Sequence, residues 1–154
     1  MTRISFHIPG DPVAKGRPRF IRATGRTYTP EKTATAERSV AQFAQEAMRG
    51  HSLFDEPLAL VLDYAFLWPK NTSRKRRIDM IGLWKTTKPD LDNLIKIKDA
   101  LNGVVWIDDA LVCLILARKV LADKPGTNVT ICPINSFNLA TYATKPYPVF
   151  GVAA

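Results

Sequence analysis

The sequence has little histidine and little cysteine. His7 and His51 are the two imidazoles in 154 residues, and they lie far apart in the chain. Histidine-built zinc sites and histidine-activated nucleophiles have little to work with. Cys113 and Cys132 each sit in an apolar, strand-like run and form no metal-binding pair. They are expected to be buried free thiols in a reducing compartment. No apolar run approaches the ~18 residues of a membrane span, and the N-terminus lacks the apolar core of a signal peptide. The expectation is a cytoplasmic protein with no membrane partner. Gly16 belongs to no Gly-x-x-x-x-Gly-Lys-Ser/Thr phosphate loop. No internal repeat, linker or second domain is visible.

What is present is positive charge. Lys and Arg outnumber Asp and Glu by 22 to 14, a formal net charge of +8, and 46% of the residues are hydrophobic. That suits one folded domain with a moderate core, facing a polyanion. The charge is concentrated in two segments. Residues 11–30 hold Lys15, Arg17, Arg19, Arg22 and Arg26 in a Gly/Pro-rich loop, with Phe20 and Tyr28 among them. Residues 70–77 hold Lys70, Arg74, Lys75, Arg76 and Arg77 in a second loop. Cations with aromatics between them suit phosphates and unstacked bases, so these ten side chains are the candidate nucleic-acid contacts. Few Asn or Gln residues accompany them, which favours backbone positioning over base reading. A merely solvated basic loop is the plainer alternative.

The negative charge is concentrated too, in KPDLDNLIKIKDALNGVVWIDD, residues 88–109. Asp90 and Asp92 follow Pro89, and Asp108 and Asp109 close the stretch. Leu91, Leu94, Ile95, Ile97 and Leu101 recur near helical spacing, and Asn102-Gly103 is a stop, so a helix is expected over 91–102. Asp90 takes the N-cap position, and Lys96 falls one turn after Asp92 on the same face, with Lys98 beyond it. Backbone amides at the helix start favour anions. Three converging carboxylates with a lysine make a site for a hard cation such as magnesium. Capping plus a solvated acidic loop explains the same spacing.

Elsewhere, Ile4, Phe6 and Ile8 alternate as a strand, and residues 31–49 read as a helix ended by Gly50. LALVLDYAFLW, residues 58–68, reads as an interior strand with Asp63 its odd polar member. Residues 110–121 read as a strand apolar on both faces near its centre, and residues 128–132 as its short antiparallel partner. The tail offers Phe137, Tyr142, Tyr147 and Phe150 without a sustained period. The class expected is α+β, a small mixed β-sheet packed against helices. Residues 1–133 would form the domain and 134–154 a C-terminal extension of unknown role.

Asp90-Leu91-Asp92-Asn93-Leu94 with Lys96, then Asp108-Asp109 ahead of a strand, resembles the RusA family of Holliday junction resolvases. Lys15-Gly16-Arg17-Pro18-Arg19-Phe20 and Tyr28-Thr29-Pro30 support the resemblance, which covers residues 4 to about 132. It implies a RusA-like fold in a bacterial or phage-encoded endonuclease. Such enzymes are magnesium-dependent homodimers that bind four-way DNA junctions and cut two opposed strands symmetrically. It maps Asp90, Asp92 and Asp109 to catalytic, metal-binding acids and Lys96 to the catalytic lysine. Asp108 receives no role. A metal nuclease acting on flaps or other branched DNA, and a non-catalytic DNA-binding phage protein, are the alternatives.

Overall fold

The computed structural model describes residues 3–143. Their elements are β1 (Ile4–Pro9), β2 (Arg19–Ile21), β3 (Arg26–Tyr28), α1 (Glu31–Ala47), β4 (Leu58–Leu67), α2 (Arg74–Met80), α3 (Leu91–Ile95), β5 (Val112–Ala122), β6 (Gly126–Pro133) and α4 (Leu139–Ala143). Short 3-10 segments span Lys96–Leu101, Asp109–Leu111 and Ile134–Ser136. The main sheet has the order β1-β6-β4-β5, with β4 and β5 parallel and the other pairs antiparallel. This is the expected α+β class with a mixed sheet. No helix among the described residues is long and apolar enough to cross a membrane.

Alternation assigns the two faces of the sheet. Leu58, Leu60, Leu62, Tyr64 and Phe66 of β4 share one core with Val129 and Ile131 of β6 and Ile4 of β1. Val40, Ala44 and Met48 of α1 and its C-terminal end join them, as do Leu94, Ile97 and Leu101 of the segment after Pro89. The opposite face mixes apolar residues such as Val61, Leu116 and Val120 with polar pairs. There Ser5 Oγ meets Thr130 Oγ1 at 3.1 Å, and His7 Nδ1 meets Asn128 Oδ1 at 2.9 Å. Asp63 lies on that face too. It is 8% exposed and accepts a hydrogen bond from Arg118 Nε of the neighbouring strand. A buried carboxylate is retained in an interior strand because a guanidinium accompanies it.

Several local expectations change. The helix expected over 91–102 is α-helical for Leu91–Ile95 and then tightens to 3-10 geometry over Lys96–Leu101. β-Branched Ile95 and Ile97 flank the change, where crowding against the preceding turn weakens the α-helical ladder. Gly103 still provides the stop, with φ +71°. The first basic loop contains the hairpin β2–β3, and the second basic loop is largely the helix α2, with Ser73 as its N-cap.

Strand β6 does not pair with β5. It lies between β1 and β4, and residues 123–125 carry the chain past the end of β4. Two strand spacings are roughly 10 Å, which three residues can span. Cys132 is buried as expected, but Cys113 is exposed, at the point where the register between β4 and β5 shifts and the strand bulges. Phe137 and Tyr142 stack on each other, ring centroids 5.2 Å apart, and Arg3 lies over Tyr142. Tyr147 and Phe150 lie outside the described residues.

Tyr64 links the sheet to the acidic stretch. Its hydroxyl donates to Leu94 O at 2.9 Å, both groups being buried, and burial raises the phenol's pKa above its ordinary value. Tyr64→Phe leaves that carbonyl without its partner. Urea unfolding should show a loss of about 1–3 kcal/mol; a midpoint equal to wild type would mean that the bond does not anchor α3.

Candidate active site

Parallel strands need a crossover, and the one joining β4 to β5 carries the acidic stretch. Its backbone is fixed from three directions. Lys119 Nζ of β5 donates to Thr87 O at 2.7 Å and to Pro89 O at 2.6 Å. Tyr64 holds Leu94, and Lys15 N donates to Asn93 O at 2.9 Å. Asp90 and Asp92 stand on this anchored backbone with exposed side chains. Asp90 occupies the N-cap position of α3, yet its carboxylate makes no capping hydrogen bond. Among the described residues neither carboxylate has an ion-pair or hydrogen-bond partner. Capping therefore does not account for Asp90. Asp108 is the cap instead, accepting from Ala110 N at 2.7 Å at the start of the turn before β5.

Lys96 is also exposed. Its Nζ donates to Asn93 Oδ1 at 2.9 Å and not to Asp92, because the turn tightens there and favours the three-residue spacing. Asp109 is engaged through both oxygens. Trp106 Nε1 donates to Oδ1 at 2.9 Å, and Lys98 Nζ lies 3.4 Å from Oδ2. Among the described residues no three His, Cys, Asp or Glu side chains form a group that could hold a metal. Asp90, Asp92 and Asp109 thus lie on one crossover without closing around a common centre. As a donor set, carboxylate oxygens suit a hard divalent cation, two of the three are free, and the third already faces a positive charge.

An ion-pair chain that no sequence spacing marks stands behind Asp109. Lys98 Nζ is 3.3 Å from Asp99 Oδ1, and Lys15 Nζ is 3.0 Å from Asp99 Oδ2. Lys15 also lies 3.1 Å from Glu37 Oε1 of α1. That oxygen is buried, and Lys15 is the cation that faces it. The hydrogen bond that Lys15 donates to Asp99 raises the Lys15 pKa, with Glu37 adding to it against partial burial. Partial burial pushes Asp99 up, but Lys15 and then Lys98 outweigh it and hold the carboxyl below its ordinary range. Lys15 is 84 residues from Asp99 in sequence, so no local pattern announced the pair.

The basic candidates divide into two groups. Arg17, Arg19, Arg22 and Arg26 are exposed on or beside the β2–β3 hairpin, as are Phe20 and Tyr28. Lys70, Arg74, Lys75 and Arg76 are exposed on or before α2. Arg74 to Arg76 fill the first turn of α2, the end that disfavours cations, so a phosphate there would relieve repulsion. Lys15 and Arg77 have internal partners. Arg77 Nε donates to Thr72 O at 3.0 Å, and its guanidinium lies over the Trp68 ring.

Asp99 should titrate below an ordinary aspartate, and Lys15→Met should move its midpoint upward in a carboxyl-carbon NMR titration. A depressed folded pKa means that the stabilisation is present above the unfolded value, about 3.9, and is lost as pH falls through the folded one. An unmoved midpoint in the variant would show that Lys15 is not the cause.

The family model described as "Endodeoxyribonuclease RusA" matches residues 9–132. A Bacillus subtilis (strain 168) protein, "Uncharacterized protein YqaN", is 31% identical over 143 residues, covering 88% of this chain and 100% of that protein. The matched region contains the hairpin, α2, α3 and Asp109. The chain belongs to the RusA endodeoxyribonuclease family.

Proposed function

We propose that the protein is a magnesium-dependent endodeoxyribonuclease that resolves four-way DNA junctions by paired symmetric nicks. The observation that carries the reading is the exposed, unpartnered pair Asp90 and Asp92, inside the family-matched region and on the same crossover as the cationic α2. Asp90, Asp92 and Asp109 would hold the cation. When bound, such an ion polarises the scissile phosphate and lowers the pKa of an attacking water.

The chain's own groups supply the remainder. Lys96, tied to Asn93 one turn into the segment, neutralises charge developing on the phosphate. The exposed cations of the hairpin and α2 hold backbone phosphates. Phe20 and Tyr28, 62% and 44% exposed, offer faces on which unpaired bases stack. One cluster cuts one strand, so paired cuts call for a twofold homodimer. Edge strand β5, with Cys113 and Ile115 exposed, is a candidate interface.

Cleavage of a static four-way junction beside a flap of matched sequence, with magnesium and with EDTA, tests the substrate. Junction-selective, EDTA-sensitive cutting is expected; equal or better flap cutting would replace the resolvase by a general branched-DNA nuclease. Asp92→Asn should abolish cleavage while leaving junction binding measurable, and near-normal turnover at saturating magnesium would remove Asp92 from the site. Neutralising Arg74 and Arg76 together should weaken binding to all sequences and reduce the salt slope by up to about two. An unchanged slope would show that these arginines touch no phosphate.

A further inference from the structure

Asp109 is the one proposed ligand whose charge is already in use. Its Oδ1 is fixed by Trp106, a fully buried indole. Its Oδ2 is held differently. Lys98 Nζ lies 3.4 Å from it and 3.3 Å from Asp99 Oδ1. Both separations exceed the roughly 2.7–2.9 Å of a tight charge-assisted bond. One ammonium is thus shared between two carboxylates and committed fully to neither. Asp99 keeps its other oxygen on Lys15 at 3.0 Å, so its position is held whichever way Lys98 leans.

We propose that Lys98 is a positioning residue that occupies Asp109 in place of a divalent cation and withdraws to Asp99 when the cation binds. The inference rests on reading Asp109 as the third metal ligand. A carboxylate oxygen cannot serve an ammonium and a divalent ion at full strength, because the two cations repel at contact distance. Asp99 is the neighbour able to receive the ammonium, being already within 3.3 Å. Lys98 therefore keeps Asp109 compensated without the cation and competes with the cation for it. The first effect favours the fold; the second lowers metal affinity. Removing the side chain separates them, because a lysine with only a structural role would lower the affinity when lost.

The test is manganese binding to the full chain without DNA, by isothermal titration calorimetry. Lys98→Met should bind manganese about threefold more tightly than wild type, the scale of a partly exposed ion pair. Asp109→Asn should bind more weakly, and the double variant should match Asp109→Asn alone. Lys98→Gln keeps a donor without the charge; it should also bind more tightly, and it stands in if the methionine variant does not fold. Unchanged or weaker binding by the Lys98 variants, with Asp109→Asn still weakened, overturns the placeholder role and leaves the metal site standing. Tightening that persists in the Asp109→Asn background also overturns it. If Asp109→Asn binds manganese as wild type does, the three-carboxylate reading and the placeholder role fall together.

Discussion

The parallel pairing of β4 with β5 sets the course of the remaining chain. Nine of the ten β4 residues are buried, so its backbone polar groups must be satisfied within the sheet, on both sides. One side is taken by antiparallel β6 and the other by β5. A parallel neighbour cannot be reached by a tight turn. The chain must leave one end of β4 and return to the other, and residues 68–111 make that journey. The return places Asp109 immediately before β5, and the path there carries α2, Asp90, Asp92 and Lys96. The polar cluster is a consequence of how the sheet is closed, and it is anchored by the sheet through Tyr64 and Lys119.

Charge is organised around that crossover in two ways. Exposed cations on the hairpin and α2 have no need of one another and stand ready for a polyanion. Behind the acids, Glu37, Lys15, Asp99, Lys98 and Asp109 alternate in sign, joining α1, the N-terminal segment, the 3-10 turn and the entrance to β5. Such partly exposed pairs contribute little stability individually. Their value here is geometric: they set which acids are compensated and which are free. Among the described residues Asp90 and Asp92 are free, and Asp109 is not.

The class of the fold was legible in the sequence because its signals are local. Period-two alternation marked β1, the long apolar run marked β4, and the helical stripe of Val40 and Ala44 marked α1. The acidic stretch was legible for the same reason, as short spacings beside Pro89. What was not legible depends on pairing across the chain. Nothing near β6 states that it inserts between β1 and β4, and nothing near Cys113 states that β5 bulges there against β4. The partner of Asp63, Arg118, is 55 residues away, and that of Asp99, Lys15, is 84 away. The α-helix expected to run past Ile95 tightens instead, and Lys96 Nζ meets Asn93 Oδ1.

The proposed resolvase activity requires that two copies of this crossover, one per protomer of a homodimer, cut two opposed strands of a four-way junction in one encounter. A closed-circular plasmid extruding a cruciform tests it most directly. With magnesium present, paired cutting within one binding event converts the supercoiled plasmid straight to linear product, because a single nick would relax the cruciform and remove the substrate. Linear DNA with few nicked circles is the expected product. Nicked circles alone, at full conversion of the supercoiled form, would contradict it.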